Sequence, residues 1–198
     1  MVDSFRTKKR YLVLMAFVGI LLTLLTGCVT GNEDIGSIGS DTNSLFDGMD
    51  IDTFSVTSEN MCNGVWDTII TNTDNGNNLS PQLSWDSIDG VSCYAIYMID
   101  SSAGNWIHWK SSNVTETDLP EGWASESEYI GPYPPGGTHD YEIYVLALKK
   151  PVSSMKGSFD EADPDIKADI LSLDIDNEGA KGNIAAYGCI SGTYTHGE

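Results

Sequence analysis

Two histidines and a tyrosine are the side chains best placed to do chemistry in this 198-residue chain. His139 and Tyr141 close the stretch "GPYPPGGTHDY" (131–141) and lead into the apolar run "EIYVLAL". Alternate residues of a strand share a face, so the imidazole and the phenol point the same way. Pro134 and Pro135 stiffen the approach to them, and the two glycines that follow let backbone amides come close to a ligand. His108 stands in a second unusual stretch, "WIHW" (106–109). A neutral imidazole offers one N–H, a protonated one offers two, and the phenol adds an O–H. Converging on one point, such donors would hold an anion, and binding would weaken as pH rises through the imidazole range. Two histidines with a carboxylate would instead suit a metal, although no second strong carboxylate accompanies them. Ser101 or Ser102 with His108 and Asp100 would suggest a hydrolase. No G-x-S-x-G elbow is present and serine adjoins aspartate, so the expectation is a protein that is not an enzyme and needs no cofactor. A histidine among aromatics is also a common packed core residue, and Pro-Gly loops are often only loops.

The elements that must position these residues read as β. "DIDTFSVTS" alternates apolar and polar residues, and "VWDTIITN" is a second strand candidate. "CYAIYMID" is nearly continuous apolar and aromatic, as in a strand buried on both faces. "WIHWKSSNV" alternates weakly, with Trp106, His108 and Lys110 on one side and Ile107 and Trp109 on the other. "YEIYVLALKK" and the closing "AAYGCISGTYT" complete the strand set. The one plausible helix lies in "DEADPDIKADILSL", where Asp163-Pro164 supplies a cap and a first-turn proline. Together these predict a mainly β domain, an antiparallel β-sandwich with one or two short helices, over residues 50–198.

The N-terminus differs in texture. "FRTKKR" is basic, "YLVLMAFVGILLTLL" is apolar, and "LTGC" ends in Cys28. This order describes a secretory signal over residues 1–27, and Leu25–Cys28 resembles a bacterial lipobox, which implies that Cys28 is acylated. An uncleaved anchor is the other reading, since the run nearly reaches spanning length. Either places the domain in the cell envelope, extracytoplasmic and tied to a membrane. Residues 28–49 are rich in Gly, Ser, Asp and Asn and read as a flexible spacer. Cleavage removes four basic residues and one acidic one, taking the formal charge from −19 to −22. Such a surface excludes nucleic acid as a partner, while a local anion pocket survives because screening confines repulsion to about 8–10 Å. Cys62, Cys93 and Cys189 remain in the domain without C-x-x-C spacing, and any disulfide among them stays open. The sequons at Asn78 and Asn113 carry little meaning beside a lipobox. His196 sits in a polar tail and is expected to be exposed and unliganded.

Three motifs, "NNLSPQLSW" (77–85), "YMIDSSAGNWIHW" (97–109) and "GPYPPGGTHDY", resemble in order and spacing the phosphatidylethanolamine-binding protein family, in its bacterial Raf-kinase-inhibitor-like branch. The resemblance runs from about Asp52 to Tyr194. It implies two antiparallel sheets and a small cavity that accepts a small anion or a phospho-headgroup. Matched residue by residue, it assigns that cavity to Asp100, His108, Pro134, Pro135, His139 and Tyr141, with no metal. Asp100 would accept from a histidine and fix its tautomer rather than meet the anion. The chain departs from the family at "DSSAGN", where the prolines and second aspartate of the family's turn are missing. Ser101 and Ser102 are expected either to add hydroxyl donors there or to leave a wider pocket. The resemblance also extends to inhibitors that act on protein partners, so an envelope or secreted peptidase is a second expectation, with Trp66, Trp106, Trp109 and Trp123 as candidates for an aromatic patch.

Overall fold

The computed structural model describes residues 45, 46 and 49–197. The proposed signal over 1–27, the acylation at Cys28 and nearly all of the spacer lie outside the described residues. The described residues contain ten strands in chain order: β1 Asp52–Phe54, β2 Val56–Thr57, β3 Met61–Cys62, β4 Val65–Trp66, β5 Leu83–Trp85, β6 Cys93–Asp100, β7 Trp106–Val114, β8 Asp118–Leu119, β9 Thr138–Leu148 and β10 Ile184–Thr195. Among the described residues one α-helix, α1, spans Ile166–Leu171. Seven strands form the main sheet in the order β3-β4-β10-β9-β6-β7, with β1 also paired to β10. A smaller sheet, β2-β5-β8, lies apart from it. The mainly β sandwich expected from the sequence is what folds.

The long central strands are buried on both faces because each face has its own cover. All eight residues of β6 are buried. Tyr94, Ile96 and Met98 face the small sheet and pack with Leu83, Trp85 and Leu119. Cys93, Ala95, Tyr97 and Ile99 face the other way, toward Val152, Leu173 and Ile166 and Ile170 of α1. Full burial of each large side chain stabilises by roughly 1.5–3 kcal/mol, so both layers are needed to hold the sheet. Phe46, inside the segment read as spacer, joins the second layer, stacked on Tyr187 with ring centroids 4.1 Å apart.

Three local readings change. Only Val65 and Trp66 of "VWDTIITN" are strand. Asp67 turns the chain into a 3₁₀ turn over Thr68–Ile70 by accepting from the Ile69 N–H at 3.0 Å. The helix begins at Ile166, with no side-chain cap from Asp165. Asp163 acts one turn earlier, accepting from the amide of Asp165 at 3.0 Å. The third change concerns β7. Met98 pairs with Trp109 and Ile99 with Ile107, which leaves His108 as an extra residue without a partner on β6. The resulting bulge breaks the alternation expected across Trp106–Lys110. Ile107 joins the helix-side layer and Trp109 the opposite one. Bulges re-aim side chains, and here the re-aimed side chain is an imidazole.

Two of the three cysteines of the domain are free, and Cys62 is disulfide-bonded. Cys93 and Cys189 are both free thiols, so neither pairs with the other or with Cys62.

Candidate functional site

A cavity of about 310 Å³ opens at the end of the main sheet where β6 and β9 meet the β7 bulge. Asp100, His108, Pro134, Pro135, His139 and Tyr141 all line it, joined by Ala103, Trp106 and Tyr133. The six residues named from the sequence are thus brought together, and the last three were missed. Register explains the meeting. Asp100 ends β6 directly opposite Tyr141 on β9, and His139 lies two residues earlier on the same face of β9.

Asp100 is 3% exposed and uses both oxygens. Oδ1 accepts from the Ser102 amide at 2.9 Å, and Oδ2 accepts from His139 Nδ1 at 2.6 Å. The first contact closes a 3₁₀ turn over Ser101–Ala103, ended by Gly104 in the left-handed region at φ 69°. This turn replaces the missing prolines of the family's motif. Neither serine supplies the cavity with a donor. Ser101 Oγ donates to the Asp140 carbonyl at 3.3 Å, and Ser102 Oγ donates to Asp140 Oδ2 at 3.3 Å while accepting from its amide at 2.9 Å. Ala103 faces the cavity instead.

His108 is 3% exposed, and its ring lies edge-on to Tyr133 and Tyr141, with centroids 5.6 and 5.3 Å away. Its Nδ1 donates to the Ile130 carbonyl at 2.8 Å. Burial pushes its pKa below the usual imidazole value, against the opposing pull of the Ile130 carbonyl and of Asp100 and Asp160. His108 is therefore a neutral ring near pH 7, with Nδ1 protonated and Nε2 carrying a lone pair. This direction runs against the imidazolium donor expected from the sequence. The sign of the linked stability follows. The unfolded chain takes this proton before the folded one does, so the protein loses stability as pH falls through about 6.5 toward the depressed value. Thermal melts from pH 8 to 5 should show this acid-side loss, and His108→Phe should flatten it. Parallel curves for the two proteins would contradict a neutral buried ring.

Tyr141 is fully buried, and its hydroxyl, beside the Asp100 carboxylate, makes no well-formed hydrogen bond within the protein. Its pKa is raised chiefly by burial and next by the neighbouring Asp100 carboxylate, so it stays a donor throughout the working range. A buried hydroxyl left without a good hydrogen bond costs about 1–3 kcal/mol unless something else satisfies it. Trp106 and Tyr133 are held from outside by Asp160, whose Oδ1 accepts from Trp106 Nε1 at 3.0 Å and from Tyr133 Oη at 2.6 Å. No sequence signal pointed to Asp160, which comes from a loop some fifty residues after β7. The proline rim is braced by the tail, since His196 Nδ1 donates to the Pro134 carbonyl at 2.7 Å. The histidine expected to be idle is exposed but engaged. Of the four tryptophans proposed for a surface patch, Trp66 and Trp109 are core.

The set is suited to hold a small polar group among aromatic walls. No lysine or arginine lines the cavity. Among the described residues, no group of three or more His, Cys, Asp or Glu side chains is arranged to hold a metal ion.

Comparison with known proteins places this geometry. The family model described as Phosphatidylethanolamine-binding protein matches residues 43–195. A solved homologue of that family from Chlamydia trachomatis superposes with a TM-score of 0.54 at 24% identity, covering 72% of this chain and 97% of the homologue. YbcL of E. coli, described as a member of the mammalian family, superposes with a TM-score of 0.55 at 22% identity, covering 72% of this chain and 98% of its own. At these identities the likeness establishes the fold alone. No curated protein matches.

Proposed function

From the premise that this chain belongs to the phosphatidylethanolamine-binding protein family, we propose that it is a lipid-anchored, extracytoplasmic binding protein of the Raf-kinase-inhibitor-like branch. Its pocket takes a small anion or phospho-headgroup. The observation that carries this reading is the convergence of His108, His139 and Tyr141 on one cavity, with the buried Tyr141 hydroxyl beside the Asp100 carboxylate. A non-catalytic role is supported by the two serines, whose hydroxyls are spent on Asp140 rather than on a histidine. The metal alternative loses support because His139 Nδ1 and Asp100 Oδ2 bond each other. The anchor rests on Cys28 at the end of the lipobox-like "LTGC". Two or more acyl chains would hold it stably in a membrane.

Native mass spectrometry of the full chain extracted from its own membrane tests both halves. The expected spectrum has a mass beginning at an acylated Cys28 and a retained phosphate-bearing ligand. An intact leader or an unmodified Cys28 removes the anchor. A protein that arrives empty and takes up no added phosphate removes the pocket.

A further inference from the structure

Resting on that pocket, we infer that the site selects an oxyanion that still carries a proton, a phosphate monoester or inorganic phosphate in its monoanionic form, over sulfate and over phosphodiesters. The inference comes from counting acceptors as well as donors. His108 commits Nδ1–H to the Ile130 carbonyl, so the remaining nitrogen of a ring lining the cavity has only a lone pair to offer. Asp100, 3% exposed, adds a carboxylate to the same wall. Against these acceptors stand the Tyr141 hydroxyl, which lies beside Asp100, and the outer nitrogen of His139, a donor when that ring carries both protons. The titratable groups facing His108 are Asp100 on β6, His139 and Tyr141 on β9, Tyr133 in the rim and Asp160 beyond it. Burial holds His108 neutral, and both tyrosines stay protonated.

An anion whose oxygens are all acceptors would therefore meet one lone pair and one carboxylate, with no lysine or arginine to offset them. A ligand P–OH removes the conflict by donating to His108 Nε2, while its other oxygens accept from Tyr141 and His139. Phosphate monoesters lose their second proton near pH 6, so about half of them still offer a P–OH at that pH. Sulfate and dialkyl phosphates offer none. Sites that hydrogen-bond a ligand hydroxyl reject analogues lacking it far more strongly than apolar pockets reject a missing methylene. The monoester itself has two sources, a soluble phosphate or a lipid such as phosphatidic acid.

Calorimetry of the intact domain at pH 6 with inorganic phosphate, methyl phosphate, dimethyl phosphate and sulfate tests the selection. Phosphate and methyl phosphate are expected to bind at least tenfold more tightly than the other two. His108→Phe should shrink that ratio toward one, and the wild-type series decides the matter if this variant does not fold. Equal binding of all four anions overturns the selection and leaves the anion pocket standing. Absence of binding by any of them overturns the pocket, and the selection with it. Co-sedimentation with phosphatidylcholine vesicles carrying phosphatidic acid assigns the monoester to a lipid. Methyl phosphate binding without sedimentation assigns it to a soluble ligand. Equal sedimentation with vesicles carrying phosphatidylethanolamine, a diester, overturns the selection.

Discussion

His139→Ala should lower phosphate affinity roughly 100-fold while leaving the domain folded. His139 is the only residue of the cavity wall able to bring positive charge to it, and its Nδ1 lies 2.6 Å from Asp100 Oδ2. Truncation removes a hydrogen bond to a charged group, worth about 1.5–3 kcal/mol. It also strips Oδ2 of the Asp100 carboxylate, 4% exposed in its side chain, of its imidazole partner, with the Ser102 amide left on Oδ1. Both losses oppose binding, and the first alone approaches the tenfold-to-hundredfold range. Tyr141→Phe provides the contrast. Its hydroxyl makes no well-formed hydrogen bond inside the protein and has the Asp100 carboxylate beside it, so removal costs the fold little. The melting temperature should stay level or rise slightly, and phosphate affinity should fall about tenfold. Titration calorimetry and thermal melts on the two variants separate the roles. Unchanged affinity in His139→Ala, or a Tyr141→Phe protein that loses stability but not affinity, would sink the assignment.

The parts of this site that were legible in the sequence are those set by local chemistry. Strand parity alone puts His139 and Tyr141 on one face of β9. The apolar run of β6 announces a doubly buried strand that must end at its first carboxylate, Asp100. What stayed hidden depends on partners remote in sequence. The bulge at His108 exists because β6 pairs with β7 out of step by one residue, and no property of "WIHW" itself fixes that register. Asp160 acts on Trp106 and Tyr133 only after the segment before α1 has folded back across β7. Tyr133 and Trp106 were closer to hand, since both sit within two residues of an assigned site residue. Asn78 was set aside as a sequon, yet its Oδ1 accepts from the Gly131 amide at 2.7 Å and so ties the start of the rim loop to the segment before β5.

That tie makes Gly131 the most exacting position in the loop. A Cβ there would stand 2.0 Å from the Ile70 carbonyl oxygen and 2.8 Å from the Asn72 nitrogen. Both neighbours are backbone and already occupied. The Ile70 carbonyl accepts from Tyr129 Oη at 2.7 Å, and the Asn72 amide donates to the Pro132 carbonyl at 3.0 Å. Gly131→Ala must therefore push residues 130–132 away from the 68–72 turn. Overpacking of this kind costs about 1–3 kcal/mol, and each buried hydrogen bond left open adds about 1–3 kcal/mol. A loss of roughly 3–5 kcal/mol corresponds to a melting point lower by about 10 °C or more in a domain of this size. The displacement also moves the Ile130 carbonyl off His108 Nδ1, freeing the ring that faces the cavity, so phosphate affinity should fall in whatever fraction remains folded. Gly136 provides the control within the same loop, because a Cβ there meets nothing within 4 Å. Gly136→Ala should melt within about 2 °C of the parent. If the two alanine variants melt alike, the rim is not held by the close approach of these two backbone segments, and the stiffness attributed to the loop must come from its prolines alone.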